Sequence, residues 1–350
     1  MTVQPQSAVD PIDYEFDTRP EIGETMCIAP GIHWLRMHLP FSLSHINLWL
    51  LEDGDGWSVV DTGVSVAECR SIWERTFSGP MNDRPLLRVI VTHLHPDHVG
   101  CAGWLTERFD APLWMSREEY LLARILVADT GRPTPEEGDR FYTAAGFEPE
   151  QLDFYHKMFG MFGKYVSALP EAYHRIADGD RITIGTHEWE VIVGRGHSPE
   201  HACLYCDELN LLISGDQLLP TISSNVSVFP TEPLANPLAD WLESLSTLKN
   251  RVPANVLVLP AHGNPFRGAH RRLDALLGEH HDCLDKLEAL CAQPKRAVDV
   301  FPALFRSRID NRNLIMATGE SVAHLNYLVD KGRVQLERNT DGVHWYRRAC

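Results

Sequence analysis

The stretch His93-Leu94-His95-Pro96-Asp97-His98 constrains this chain more than any other feature. Imidazole nitrogens and carboxylate oxygens are good ligands for zinc and similar divalent ions. The stretch follows residues 86–91, a continuous apolar run of the kind that forms a strand buried on both faces. It is too short to close one tetrahedral site, because neighbouring side chains diverge. Alternate residues instead suit two ions, His93 and His95 facing one, Asp97 and His98 facing the other.

Four more apolar runs end in a residue of the same chemistry. Asp61 follows 57–60, His197 follows 191–193, Asp216 follows 211–213 and His262 follows 256–259. Loops at one edge of a rigid sheet are where a fold commonly places functional groups. One such histidine alone reads as a hydrogen-bonded structural residue. Five strand ends that all deliver His or Asp do not read as core packing.

The remaining sequence excludes several classes. A net charge of −16 argues against binding nucleic acid through its phosphates, which calls for a basic surface. No apolar run approaches the roughly 20 residues needed to span a bilayer, so no membrane partner is expected. Residues 1–24 are polar and lack the apolar segment of a signal peptide. They read as a short, loosely held leader on a cytoplasmic protein. The eight cysteines form no paired pattern. Cys203-Leu-Tyr-Cys206 is formally a CxxC, but it lies in an apolar run and reads as a strand. The others read as reduced, buried thiols.

Strands are expected at 31–39, 46–51 and 57–60, the last two joined by the turn Glu52-Asp-Gly-Asp-Gly56, with a helix at 66–77. Residues 111–176 change character. Helical spacing covers 117–129, 135–145 and 149–168, carrying Tyr120, Tyr142, Phe154, Tyr155, Met158, Phe159, Met161, Phe162 and Tyr165. That stripe reads either as an apolar lid over the site or as the insert's own core or a dimer contact. Strands resume at 181–184, 188–193, 201–206 and 211–213, followed by a helix at 237–248. Helices at 268–290, 298–305 and 320–330 then precede a hairpin at 332–347, which suggests a small winged-helix-like domain.

Together His93-x-His-x-Asp-His98, Gly196-His197-Ser-Pro-Glu-His201, Ser214-Gly-Asp216, Pro260-Ala-His262-Gly263 and the leading Asp61-Thr-Gly63 resemble, in content and order, the metallo-β-lactamase fold superfamily. The resemblance implies an α/β class fold, an αββα sandwich with a dinuclear site at one edge. It implies that His93, His95 and His197 hold one metal, that Asp97, His98 and His262 hold the other, and that Asp216 bridges. Asp61 and His201 would support those ligands. A catalytic domain at 25–275, with the helical insertion at 111–176, would precede a winged-helix-like domain at 276–350.

β-Lactamases of this fold usually carry Cys where this chain has Asp216. A bridging Asp is similar to the glyoxalase II and ribonuclease Z branches, and the helix-hairpin tail resembles a β-lactamase-like-protein-2 subgroup. Glu200 stands where the glyoxalase II-like pattern has Gly. The resemblance implies hydrolysis by a metal-bound hydroxide, with Asp97 orienting it or taking its proton. Zinc is the default ion, though His and carboxylate ligands also suit iron and manganese. The expected substrate is a small molecule carrying a thioester or ester. A ribonuclease or other phosphodiesterase is the alternative, supported by the tail but opposed by the charge and by a thin basic cluster of Arg333, Arg338, Arg347 and Arg348. A third reading gives the tail an oligomerisation role, in a homodimer. The loop 220–237, with Thr221, Ser223, Ser224, Asn225 and Phe229, lies near the site.

Overall fold

The computed structural model describes residues 12–40 and 43–349. The strands in chain order are β1 (Asp13–Tyr14), β2 (Thr25–Ala29), β3 (Ile32–His38), β4 (His45–Asp53), β5 (Gly56–Val60), β6 (Leu86–Ile90), β7 (Leu113–Met115), β8 (His174–Arg175), β9 (Arg181–Ile184), β10 (His187–Gly194), β11 (His201–Cys206), β12 (Leu211–Gly215), β13 (Leu257–Pro260), β14 (Phe266–Arg267), β15 (Val334–Arg338) and β16 (His344–Arg348). The helices are α1 (Ala67–Ser78), α2 (Pro96–Val99), α3 (Ala102–Phe109), α4 (Arg117–Ala128), α5 (Glu136–Ala145), α6 (Pro149–Met158), α7 (Pro237–Arg251), α8 (Ala269–Leu290), α9 (Phe301–Leu304) and α10 (Leu314–Asp330).

Two seven-stranded sheets result. One runs β2-β3-β4-β5-β6-β7-β8, the other β1-β14-β13-β12-β11-β10-β9. Period-2 alternation sorts each strand between two cores. On β4, Trp49 and Leu51 face the space between the sheets, while Ile46, Leu48 and Leu50 face the helices of the outer layer. The inner core stacks Trp34 on Trp49 with ring centroids 6.1 Å apart, and Trp34 Nε1 donates to Asn47 Oδ1 at 2.8 Å. Each fully buried side chain of this kind stabilises by about 1.5–3 kcal/mol. α1 and α3 cover the first sheet, α7 and α8 the second. The αββα sandwich expected above is present.

Several local expectations change. β6 is not buried on both faces: Leu87 is 40% exposed, and Arg88 is half-buried with its guanidinium 2.7 Å from Asp53 Oδ2. The 149–168 helix ends at Met158, since Phe159 turns extended and Gly160 takes φ +68°. Only a 3-10 turn, Phe162–Lys164, follows. The 298–305 helix is a 3-10 turn at Ala297–Val300 running into α9, and α10 begins six residues earlier than 320. The leader is docked from Asp13 onward. β1 pairs with β14, and Glu15 bridges Arg267 at 2.7 Å; residues 1–11 lie outside those described. Cys203 and Cys206 are buried on β11 as a strand reading requires, but Cys27 is exposed.

The aromatic stripe divides. Tyr142 and Tyr155 are buried in the core that also takes α8, α10 and the terminal hairpin. Tyr120 packs against the first sheet and stacks on Tyr173 at 3.8 Å. Leu121, Ile125 and Met158 remain exposed. The insert and the tail pack together at Gly146 (φ +102°), where a Cβ would stand 3.0 Å from both Arg296 and Val298 side chains.

Candidate metal centre

The two sheets deliver their chemistry at one shared edge. Asp61 ends β5 in a left-handed conformation, φ 62°, unusual for a residue with a Cβ. Thr92 and His93 follow β6, and Pro96 at the start of α2 puts Asp97 and His98 on one short helical turn. His197 follows β10 through Gly196 (φ +102°), where a Cβ would stand 2.5 Å from Pro237 O. Glu200 itself does not take a positive φ, so the turn needs no glycine there. Gly215 is packed so closely on His201 that a Cβ would lie 2.5 Å from its Nε2.

All seven residues expected as ligands converge in two groups. In the first, His93 Nε2 lies 2.8 Å from His95 Nδ1 and 3.3 Å from His197 Nε2. In the second, His262 Nε2 and His98 Nε2 stand 3.3 and 3.8 Å from Asp97 Oδ2. Asp216 divides between them. Its Oδ2 is 3.4 Å from His197 Nε2 and 4.0 Å from His93 Nε2. Its Oδ1 is 3.5 Å from His262 Nε2 and 3.6 Å from His98 Nε2. Within each group one ligating atom per residue lies within 4.8 Å of every other.

The residues fit divalent cations by the state of their atoms. Ligands about 2.0–2.2 Å from a tetrahedral ion stand about 3.3–3.6 Å from one another, and five of the eight spacings above fall in that range. His98 Nε2 and Asp216 Oδ1 are buried with no hydrogen-bond partner, a costly state unless something else occupies them. The opposite ring nitrogens are committed. His98 Nδ1 donates to Asp61 Oδ2 at 2.8 Å, His197 Nδ1 to Asn225 O at 2.7 Å and His262 Nδ1 to His45 O at 3.0 Å. Each such bond leaves Nε2 as the ring atom aimed inward, where its lone pair would meet a cation.

Further side chains hold this arrangement: Asp61 and His201, which the sequence marks for that task, and Asn47 and Glu119, which it does not. Asn47 Nδ2 donates to Pro260 O and Gly263 O at 2.8 and 2.7 Å, fastening the His262 loop to β4. Glu119 on α4, fully buried, accepts the N–H of Leu94 at 2.9 Å and of Glu200 at 2.8 Å. One carboxylate thus joins the segment between His93 and His95 to the segment after His197. Glu200 answers by accepting Glu118 N at 3.0 Å and, through its carbonyl, Ser116 Oγ at 2.8 Å. His201 Nε2 accepts the N–H of Asp216 at 3.0 Å. Asp61 also takes the Thr92 N–H and hydroxyl.

Electrostatics follow from that packing. Burial holds His93 well below the usual imidazole value, helped by neighbouring His98 and His95. Burial, then His197, pushes His95 down to about 3. Burial works against ionised Asp97, but His98 and His262 overcome it and bring it to about 2. His262 and His98 likewise hold Asp216 well below the carboxylate range against the effect of burial. His98 is raised despite its burial, by Asp61 and Asp97. Two carboxylates, one buried and one partly so, are thus kept anionic by the neighbouring imidazoles, which is the demand a divalent cation answers.

Comparison with known proteins agrees with this geometry. A sequence profile described as "Metallo-beta-lactamase superfamily" matches residues 42–263, and one described as "Metallo-beta-lactamase-like, C-terminal domain" matches residues 284–349. A crystal structure of a beta-lactamase domain protein from Burkholderia ambifaria is similar at 42% identity and TM-score 0.88, covering 97% of this chain and 98% of its own. The "Probable metallo-hydrolase YqjP" of Bacillus subtilis (strain 168) is 23% identical over 84% of this chain and 91% of its own. The "Acyl-coenzyme A thioesterase MBLAC2" of Homo sapiens is 26% identical over 70% of this chain and 82% of its own.

Proposed function

The chain belongs to the metallo-beta-lactamase superfamily, and from that premise we propose that this metallo-hydrolase cleaves thioesters or esters at a dinuclear centre. The observation that carries the reading is Asp216, whose two oxygens face two separate nitrogen sets. We assign His93, His95 and His197 to one ion, Asp97, His98 and His262 to the other, with Asp216 between them. Asp61 and His201 support those ligands, and zinc is the first ion to test, then iron and manganese.

When bound, the cations supply Lewis acidity and a nucleophile available near neutral pH. The chain's own groups do the rest. Asp61, Asn225 O and His45 O hold three imidazoles in the tautomer that presents Nε2. Asp97 stays anionic, with Oδ2 turned to the His262 and His98 nitrogens, and its other oxygen would be left to orient the nucleophile or take its proton. The thioester preference is supported by the name of the MBLAC2 relative and by the exposed apolar Leu121 and Ile125 of α4, whose helix starts at the ligand segments.

The phosphodiesterase alternative has less support. Arg333 is paired with Asp285 and Glu288, and Arg348 with Glu288, so two of the four arginines in the thin basic cluster of the tail already have acidic partners. α10 buries Ala317 to Leu325 and Leu328 within its own chain, so on the oligomerisation reading a partner would meet other surfaces of the tail. Among the described residues no helix is long and apolar enough to cross a membrane. The free, mostly buried cysteines support a reducing, cytoplasmic setting. We read 25–275 as the catalytic unit and 276–350 as the appended one.

The test is a substrate panel on full-length protein with its metal content measured. Acyl-CoA and glutathione thioesters are set against single-stranded RNA and a bis-ester phosphate. Turnover confined to thioesters is the expected result, and turnover of the phosphodiesters alone overturns it.

A further inference from the structure

His197 is fixed by residues outside the strands that carry the other ligands. Its Nδ1 donates to the backbone carbonyl of Asn225, in a loop between β12 and α7 that has no regular structure at 221–236. The Asn225 side chain donates to Glu320 Oε2 at 2.7 Å. Its own oxygen accepts from Ser227 Oγ at 2.6 Å, which sets which end of the amide faces Glu320. Glu320 is buried on α10, inside the region matched to the C-terminal domain. The same helix holds the loop elsewhere. Val228 N donates to Gly319 O at 3.1 Å, and Asn326 Nδ2 to Ala235 O at 2.9 Å. A Cβ on Gly319 would lie 2.8 Å from Ser227 Cβ, so glycine permits this approach.

We propose that the C-terminal domain is a working part of the metal centre, in which Glu320, acting through Asn225, positions His197. The proposal rests on His197 being a metal ligand. An imidazole that binds through Nε2 must keep its Nδ1 proton on a fixed acceptor. Here that acceptor is a loop carbonyl, and the side chain of the same residue is what ties the loop to α10. A carboxyl oxygen accepts from the Asn225 amide in either protonation state, so the tie does not depend on the charge of Glu320.

The experiment compares full-length Glu320→Ala, Glu320→Gln, Asn225→Ala and His197→Ala, stripped of metal and titrated with Zn2+ and Co2+ against a chromophoric chelator. Partners that orient a ligand typically contribute 10–100-fold in affinity, so Glu320→Ala and Asn225→Ala are expected to bind one of two ions about tenfold more weakly. Glu320→Gln keeps an acceptor oxygen and restores binding to within about twofold. In the loaded enzyme kcat falls while KM holds. If Glu320→Ala does not fold, Asn225→Ala decides, since it leaves the α10 core intact. Wild-type affinity for both ions in the folded tether variants overturns the proposal. His197→Ala separates the two failures. If it loses one ion while the tether variants keep both, only the tie is wrong; if it keeps both ions, the ligand assignment is wrong.

Discussion

At Asp216 the carboxylate lies between two sets of imidazoles, each oxygen 3.4–3.6 Å from the nearest nitrogens. Asp216→Ala removes the shared group. It is expected to abolish tight binding of the ion pair and to lower kcat/KM by about a thousandfold or more, the equivalent of several kcal/mol of lost charge stabilisation. Metal analysis of the purified variant alongside thioester kinetics checks this, and full metal content with full activity would sink the assignment. Asp61 acts one bond further out. Its carboxylate takes the Thr92 N–H, the Thr92 hydroxyl and the His98 Nδ1–H at once. Asp61→Ala should weaken binding at the His98 site by about 10–100-fold, with Asp61→Asn in between because one acceptor oxygen remains. Chelator competition reads both.

Among the elements, α4 does most to join the insertion to the site. A long insert between ligand groups invites the picture of a detachable lid, yet Glu119 lies in its first turn and binds two ligand segments. Glu119→Ala leaves two buried N–H groups without acceptors, at about 1–3 kcal/mol each. It should lower the Tm of the metal-free protein by several degrees and weaken the His93–His95–His197 site. A variant with unchanged Tm and metal affinity would show the bracket to be dispensable. The helices were legible from apolar spacing, but their ends were not. α6 stops at Met158 because Phe159 leaves the helical region and Gly160 turns left-handed, a choice set by where the chain must go next.

At the scale of the whole molecule, the joint between the catalytic and C-terminal parts buries ionisable groups. Glu320, His280 and His324 line one small cavity with Glu279, Cys283 and Ser223, and Arg272 lies 3.7 Å from Glu279. Burial raises Glu320 from 4.5 to about 8, with Asn225 working the other way. Burial lowers His280 to about 3 and His324 to about 4, from 6.5. Trp241 Nε1 donates to His280 Nε2 at 3.0 Å, as a neutral ring allows. The raised carboxyl contributes stability that is full below pH 4.5 and is lost as pH rises through about 8. The depressed imidazoles contribute stability that is full above 6.5 and is lost as pH falls towards 4 and 3. Metal-free protein is therefore expected to be most stable in weakly acid solution, with a falling alkaline limb that Glu320→Gln flattens; Tm against pH reads it, and an unchanged alkaline limb in that variant would refute it. The sequence by itself marked the seven candidate ligands that the fold brings together, their order and their place at strand ends, because ligand chemistry is carried by few residue types and strand ends are marked by local apolar runs. Only the tertiary structure decided that Asn47, Glu119, Asn225 and Glu320 hold those ligands, and that Tyr142 and Tyr155 are core while Leu121 and Ile125 are not. Those outcomes depend on hydrogen bonds and burial between segments some 25 to 220 residues apart, and no local pattern records such a meeting.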